Sequence, residues 1–160
     1  MIDTRQKIKS REELQSLIIS LQKQGKKIVF TNGCFDIIHI GHVRLLQEAR
    51  AQGDKLIIAI NTDNSVRGLK GNSRPILGEQ ERAEMLAALE CVDFVTFFAE
   101  PTPLETILIL HPDFLVKGAD YTLDEIVGKK EVLAYGGKVL AIPLTPDYST
   151  TALIEKIKKL

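Results

Sequence analysis

Residues 27–44 read KIVFTNGCFDIIHIGHVR, and this stretch decides the fold. It opens with a short apolar run, which predicts a buried strand over residues 27–32. Residues 42–52 then carry apolar side chains at helical spacing, and Gly53 follows as a helix stop. A buried strand followed closely by a helix indicates one strand–helix unit of a parallel sheet.

The same alternation continues on both sides of this stretch. Upstream, Ser10 opens a capping box before a periodic helix that Gly25 is placed to end. Downstream, runs that are apolar on both faces predict strands at residues 55–61, 94–98, 114–117 and 138–143. Helices are predicted at residues 79–89, 102–110, 124–135 and 150–159, and a loop at the polar insert 67–78. We therefore expect an α/β fold: a doubly wound parallel sheet covered by helices on both faces.

Length and composition restrict the class of protein. The 160 residues suit a single domain, 1–160, with an N-terminal helical segment at 1–26 and an α/β core at 27–160. The 21 basic residues balance the 21 acidic ones, which argues against a nucleic-acid partner or a membrane surface. No apolar run reaches the ~18 residues of a membrane span, and the N-terminus lacks a signal-peptide core, so a cytoplasmic location is expected.

Polar residues follow four of the predicted strands. In doubly wound sheets, ligands bind outside the carboxyl ends of the strands, so these residues are expected to meet at one edge. They are Thr31, Asn32, Gly33, His39 and His42 after the first strand, Asn61, Thr62 and Asp63 after the second, Lys117, Gly118 and Asp120 at the fourth, and Ser149, Thr150 and Thr151 after the fifth. Lys70 and Arg74 in the polar insert add positive charge. Hydroxyls at a helix start, together with cations, favour an anionic ligand.

The residues alone leave three interpretations of His39 and His42. A metal site would need third and fourth ligands, and none is evident. The pair could also cap or pack, or it could contact an anion, which the surroundings favour. The sequence contains neither GxxxxGK[ST] nor GxGxxG after the first strand, which disfavours a P-loop NTPase and an ordinary dinucleotide-binding domain. The two cysteines, Cys34 and Cys91, form neither a disulfide framework nor a metal knuckle.

Two motifs carry a resemblance to a known superfamily. GCFDIIHIGH at 33–42, with its HxGH core, and YSTT at 148–151 resemble the two signatures of the cytidylyltransferase-like nucleotidyltransferases. NTDNSVRGLKGNSRPI at 61–76 and PDFLVKGADYTLDEIVGKKEV at 112–132 resemble the D-glycero-D-manno-heptose 1-phosphate adenylyltransferase family. In many bacteria that enzyme is the C-terminal domain of a bifunctional kinase–adenylyltransferase. The resemblance extends from about residue 10 to residue 158.

The resemblance implies a Rossmann-like HIGH-motif fold and transfer of an adenylyl group from ATP to a heptose 1-phosphate, giving ADP-heptose for the lipopolysaccharide inner core. It implies catalytic roles for His39, His42 and Lys70. The implied nucleotide-binding residues are Thr31, Asn32, Gly33, Phe35, His39, His42, Lys117, Ser149, Thr150 and Thr151. The implied substrate-binding residues are Asn61, Asp63, Lys70, Arg74 and Asp120. It also implies Mg²⁺ bound through the ATP phosphates without a protein ligand, a homodimer, and a separate heptose kinase upstream.

Some residues depart from the superfamily pattern. Residues 144–147 read LTPD where cytidylyltransferase relatives usually have Arg-Thr-Glu-Gly, and Ala119 replaces the second glycine of KGGD. Two alternatives stay open: a cytidylyltransferase acting on glycerol 3-phosphate or another alcohol phosphate, and a non-catalytic nucleotide-binding regulatory module. The roles of Arg82 and Cys34 are also left open.

Overall fold

The computed structural model of the chain describes residues 3–118, 125–146 and 148–160. Within these ranges, one parallel sheet contains strands β1 (Ile28–Gly33), β2 (Lys55–Asn61), β3 (Phe94–Phe98), β4 (Phe114–Gly118) and β5 (Lys138–Ile142). The α-helices are α1 (Arg11–Lys23), α2 (Ile40–Arg50), α3 (Asp63–Lys70), α4 (Glu79–Ala87), α5 (Leu104–Leu110), α6 (Lys129–Ala134) and α7 (Thr150–Lys158). A short 3-10 helix, Thr4–Lys7, precedes α1.

The strand order β3-β2-β1-β4-β5, with all strand pairs parallel, confirms the predicted doubly wound α/β fold. The chain winds outward from β1 to β3 and then crosses back to β4, so the order reverses between β1 and β4. The pairing of β1 with β4 covers only Val29 with Phe114 and Phe30 with Leu115. Beyond that point β1 still pairs with β2, and β4 with β5, but β1 and β4 separate from each other, which leaves an opening where such folds bind ligands.

Each face of the sheet has its own apolar cluster. Leu46 of α2 and Leu86 of α4 pack on one face, and Leu14 of α1 and Ile107 of α5 pack on the other. Most strand residues are fully buried, which explains why the strands read as continuous apolar runs. The N-terminal segment belongs to the same assembly, since Lys9 N donates to the carbonyl of Val95 at 2.9 Å.

Two predicted elements differ from the structure in ways that matter for the site. Helix α2 begins at Ile40 rather than at residue 42, so His39 is its N-cap and His42 lies in its first turn. The loop predicted at 67–78 is wrong in its first part, because α3 runs to Lys70. The hydroxyl of Thr62 caps α3 by accepting from Ser65 N at 3.4 Å. Helix α3 has only eight residues, of which Val66 alone is buried, so its apolar pattern is too short to predict a helix from the sequence.

The predicted helix at 124–135 is shorter in the structure. Helix α6 begins after Gly128, whose φ of +87° is unfavourable for residues with a side chain. Residue 124 lies outside the described ranges. The remaining predicted boundaries differ from the observed ones by one or two residues. No helix in the described part of the chain is both long and apolar enough to cross a bilayer.

Candidate active site

A cleft of about 610 Å³ opens at the carboxyl edge of the sheet, at the point where the strand order reverses. It gathers residues from β1, α2, β2, α3, β4 and the start of α7. The site residues expected from the sequence that line it are Thr31, Asn32, Gly33, Phe35, His39, His42, Asn61, Lys70, Lys117, Ser149, Thr150 and Thr151. Asp63 and Arg74 do not line the cleft, and Asp120 lies outside the described residues.

The end of β1 forms the floor of the cleft. A Cβ added to Gly33 would lie 3.0 Å from Cε2 of Phe35, so only glycine lets the ring pack there without a shift. Phe35 itself has φ +47°, and its ring centroid lies 5.1 Å from that of His42. This unfavourable backbone conformation turns the chain sharply from β1 toward α2.

Asn32 gives the floor a polar group that the protein does not use. Its Oδ1 atom is buried and has no hydrogen-bond partner among the described residues. Its backbone carbonyl accepts a hydrogen bond from Lys117 Nζ at 3.0 Å, which links the end of β1 to the end of β4. A buried acceptor without a partner is costly, so a ligand donor is expected to satisfy it.

His39 and His42 lie against each other at the start of α2. Their rings stack with centroids 3.8 Å apart and planes 22° apart. His39 occupies the N-cap but makes no side-chain capping bond, and the buried Nδ1 atoms of both rings have no hydrogen-bond partner in the described part of the chain. The pair therefore does not serve as an ordinary cap, and its polar atoms are available at a helix N-terminus that favours anions.

The environment keeps the histidine pair neutral. Burial, together with the nearby His39 and Lys70 charges, lowers the pKa of His42 to about 4, although a backbone hydrogen bond at Ile37 raises it. Burial also lowers the pKa of His39. At neutral pH each imidazole therefore offers one N–H donor, and positive charge at the cleft must come from other groups.

The start of α7 supplies a second helix N-terminus. The Ser149 hydroxyl accepts from Ala152 N at 3.0 Å, so Ser149 is the N-cap. The Thr150 hydroxyl donates to the carbonyl of Ile37 at 3.4 Å, which ties α7 to the loop that carries His39. Thr151 is exposed and lines the cleft. The free amides of α2 and α7 thus converge on one cleft, an arrangement suited to a polyphosphate.

Two cationic side chains border the cleft from different sides. Lys70 is the last residue of α3, and its charge is close enough to influence His42. Lys117 lies at the end of β4. Asn61, at the end of β2, is buried and donates through Nδ2 to the Ser65 hydroxyl at 3.0 Å, while Cys34 Sγ lies 3.6 Å from its Oδ1. The amide of Asn61 is therefore already engaged by the protein.

Asp63 and Arg74 are held by protein partners rather than by the cleft. Asp63 Oδ1 accepts from Arg82 Nη2 at 2.8 Å, and Arg74 pairs with the buried carboxylate of Asp36. The expectation that both contact a substrate is therefore not supported by their positions. One nitrogen of Arg74, Nη2, remains buried without a partner in the described ranges.

The sequence analysis did not assign a role to Asp36, which organises one wall of the site. Its Oδ2 accepts from Arg74, and its Oδ1 accepts from Ile76 N at 2.7 Å and from Leu77 N at 3.1 Å. Burial raises the pKa of this carboxyl, but the hydrogen bonds from these three residues outweigh burial and lower it overall. The partners of Asp36 lie 38 to 41 positions away in the sequence, so their contacts could not be predicted from it. The position of Asp36 within the first motif was the one available signal.

An apolar rim was also missed by the sequence analysis. Leu69, Leu144 and Tyr148 line the cleft and are about half exposed. Leu69 and Leu144 read as isolated apolar residues in polar segments, and Tyr148 was noted only as the first residue of the YSTT motif. Together they give the cleft an apolar edge beside its polar floor.

The cleft is not built as a protein cage for a metal ion. Across residues 3–118, 125–146 and 148–160, no group of three or more His, Cys, Asp or Glu side chains is placed to hold one. The carboxylate of Asp36 is already occupied by Arg74 and two backbone amides.

Comparison with known proteins gives relatives that are similar along almost the whole chain. The chain is 51% identical over 153 residues to "Bifunctional protein HldE" of Geobacter sulfurreducens, covering 96% of this chain and 31% of the relative. It is 53% identical over 150 residues to the protein of the same name from Koribacter versatilis, covering 94% and 31%. The chain thus spans about a third of the length of these curated relatives.

Solved structures share the fold. The lipopolysaccharide core biosynthesis protein from Thermoplasma volcanium matches with a TM-score of 0.63 and 28% identity, over 78% of this chain and all of that one. Pantoate-beta-alanine ligase from Francisella tularensis matches with a TM-score of 0.66 and 18% identity, over 96% and 78%. The second likeness, at this low identity, concerns the fold alone.

A family model agrees with the fold and with both motifs. It matches residues 30–156, a span that includes the histidine pair at the start of α2 and the hydroxyl residues at the start of α7. The chain belongs to the cytidylyltransferase-like family.

Proposed function

We propose that this chain transfers the adenylyl group of ATP to D-glycero-D-manno-heptose 1-phosphate, releasing pyrophosphate and forming ADP-heptose. One observation carries the proposal: buried polar atoms of Asn32, His39 and His42 that lack partners line a cleft between two helix N-termini. Folded proteins rarely leave such atoms unsatisfied unless a ligand supplies the partner. The imidazole N–H groups suit phosphate oxygens, and the amide oxygen suits a hydroxyl or amino group.

We assign the triphosphate to the space between α2 and α7. The histidine pair and the amides at the start of α7 surround that space, and Lys70 is on its α3 side. The proposed nucleotide-binding residues remain Thr31, Asn32, Gly33, Phe35, His39, His42, Lys117, Ser149, Thr150 and Thr151. Asn61 remains a proposed substrate-binding residue because it lines the cleft at the end of β2. Asp120 stays a prediction from the sequence.

The reaction needs positioning and charge stabilisation rather than a general base. The sugar phosphate is ionised at neutral pH, so it attacks the α-phosphorus in line while pyrophosphate leaves. Burial lowers the pKa of His42 to about 4, and the charge of bound phosphates opposes that shift; a ring N–H then donates a hydrogen bond to the transferring phosphate. Lys70 and the two helix N-termini supply the positive potential that the neutral rings do not.

Mg²⁺ is proposed to enter on the ATP phosphates, where it neutralises part of their charge. This agrees with a cleft whose described side chains offer imidazoles, hydroxyls and amides rather than a set of free carboxylates. The chain's own part is to hold the phosphates and orient the acceptor.

Choice of substrate rests on the relatives. Identity above 50% to HldE proteins along nearly the whole chain supports a heptose phosphate over glycerol 3-phosphate. We propose that the product serves lipopolysaccharide inner-core synthesis, that a separate heptose kinase supplies the substrate, and that the enzyme works in the cytoplasm, where ATP is available. A homodimer is likewise proposed from the family resemblance.

Pyrophosphate release tests the proposal. The purified chain is incubated with each of four NTPs and a panel of sugar and alcohol phosphates, with Mg²⁺ present. We expect release with ATP and heptose 1-phosphate and loss of that release in His42→Ala. Release only with CTP and glycerol 3-phosphate would indicate the alternative enzyme, and binding of nucleotide without release from any pair would indicate a regulatory module.

A further inference from the structure

Arg82 is a fully buried arginine that hydrogen-bonds to residues at the ends of β1 and β2. It belongs to α4 and has no exposed surface. Its nitrogens donate to the carbonyls of Cys34 at 2.6 Å, Asn61 at 2.8 Å and Leu77 at 3.1 Å. Burying a guanidinium is unfavourable unless its N–H groups are hydrogen-bonded, and here three backbone carbonyls and a carboxylate accept from them.

The carboxylate partner is Asp63, the first residue of α3. Its Oδ1 accepts from Arg82 Nη2 at 2.8 Å, and its backbone N donates to Glu79 Oε2 at 2.7 Å. The start of α3 is therefore attached to α4 by two charged groups. Through the same guanidinium it is linked to the ends of β1 and β2, which form the cleft floor.

Among the residues that the structure describes, no comparable anchor holds the other end of α3. Residues 67–73 are all exposed, and Val66 is the only buried residue of the helix. Lys70 closes the helix, and Gly71 follows with φ +90°. Asp36 holds the chain again only at Arg74, Ile76 and Leu77. The position of Lys70 relative to the cleft thus depends largely on how the start of α3 is fixed.

We propose that Arg82 and Asp63 are positioning residues, which hold α3 so that Lys70 reaches the phosphates in the cleft; the part concerning Lys70 rests on the proposed function. Asp63 then acts through Arg82 and Lys70 and does not contact substrate. This assigns a role to Arg82 that the sequence left open, and it replaces the substrate contact expected of Asp63.

The test combines Asp63 variants with removal of Lys70. Asp63→Ala removes the acceptor, and Asp63→Asn keeps an acceptor without the charge. Each is made in the wild-type chain and in Lys70→Ala. Asp93→Asn is the matched control, because Asp93 also forms ion pairs inside the fold, with Lys55 and Arg50, but at the amino-terminal start of β2.

Asp63→Ala is expected to lower kcat/KM by about tenfold in the wild-type chain and by less than about twofold in Lys70→Ala, since coupled residues are not additive. Asp63→Asn, which keeps an acceptor, is expected to lower kcat/KM by no more than about threefold in the wild-type chain. Asp93→Asn should change kcat/KM by the same factor in both backgrounds. Equal factors for Asp63→Ala in both backgrounds would overturn the proposal, because a merely structural role predicts them.

Hydrogen–deuterium exchange provides a readout that does not depend on turnover. Asp63→Ala is expected to raise exchange of the amides of residues 63–70 about tenfold, with little change in β1 and β2. Unchanged exchange in α3 would overturn the proposal even if activity fell. If the wild-type chain shows no pyrophosphate release, the proposed function fails, whereas the exchange result still decides whether Arg82 and Asp63 fix α3.

Discussion

Gly41 is the second residue of α2 and faces the chain just before α7, where the proposed triphosphate site lies. A Cβ at this position would lie 3.0 Å from His39 Nδ1, 3.1 Å from His39 Cε1 and 3.2 Å from Tyr148 Cβ. These distances are shorter than ordinary van der Waals contacts, so Gly41→Ala must displace the His39 ring and the chain before α7 by a few tenths of an ångström. The substitution therefore disturbs the spacing of the site directly.

The expected change in stability is small because two effects oppose each other. Alanine in place of glycine favours a helix by about 1 kcal/mol. The close contacts cost about 1–2 kcal/mol, in the range of modest overpacking. The free energy of unfolding should thus fall by no more than about 1 kcal/mol, which corresponds to a decrease of about 2–4 °C in Tm for a chain of this size. Turnover should suffer more, because catalysis is sensitive to displacements well below 1 Å; we expect kcat/KM to fall about tenfold.

The assay compares pyrophosphate release and thermal unfolding for Gly41→Ala and Gly68→Ala. Gly68 lies inside α3, and a Cβ there would have no heavy atom within 4 Å. The control should gain up to about 1 kcal/mol of stability and keep its kcat/KM within about twofold. Full activity in Gly41→Ala would refute the reasoning, as would an activity loss that merely follows the fraction of unfolded protein.

Further predictions concern charge and unsatisfied groups at the same site. Burial lowers the pKa of His42 to about 4 in the folded chain, so the unfolded chain binds the proton at a higher pH. The free energy of unfolding should therefore decrease as the pH falls from 6.5 toward 4. Urea titrations should show a decrease of about 3 kcal/mol that is largely absent in His42→Gln. Equal pH dependence in both proteins would contradict this. Lys70→Ala should lower kcat/KM for ATP by about ten- to a hundredfold, while Arg67→Ala on the same helix, whose side chain pairs with Asn64, should stay within about twofold. Asn32→Leu removes an acceptor that has no partner, so Tm should hold or rise while kcat/KM falls at least about tenfold; a clear loss of Tm would instead show that the amide stabilises the fold.

The sheet could be predicted from the sequence because its strands are buried on both faces. Ile57, Ile58 and Ala59 are consecutive and fully buried, so the run stands out without any alternation. The cleft followed from topology, since polar residues after parallel strands must share one edge. Helix α3 was not predicted because it has only eight residues, and Val66 is the one buried side chain among them.

The supporting contacts of the site were not predictable because they join distant positions. Arg82 reads as one charged residue in an amphipathic helix, yet its partners Cys34 and Asn61 lie 48 and 21 positions away. The resemblance implied substrate contacts for Asp63 and Arg74, because charge after a strand or in a polar insert is ambiguous between ligand contact and an ion pair. Only the three-dimensional arrangement shows that Asp63 pairs with Arg82 and Arg74 with Asp36.

A crystal structure with Mg²⁺ and a non-hydrolysable ATP analogue tests the central claim most directly. The account predicts the phosphates between α2 and α7, with phosphate oxygens about 3 Å from the imidazole nitrogens of His39 and His42 and from the first amides of α7. The Asn32 amide oxygen should then accept a hydrogen bond from a bound ligand. A nucleotide seated away from this cleft, or one whose phosphates leave both imidazoles without a partner, would contradict the account.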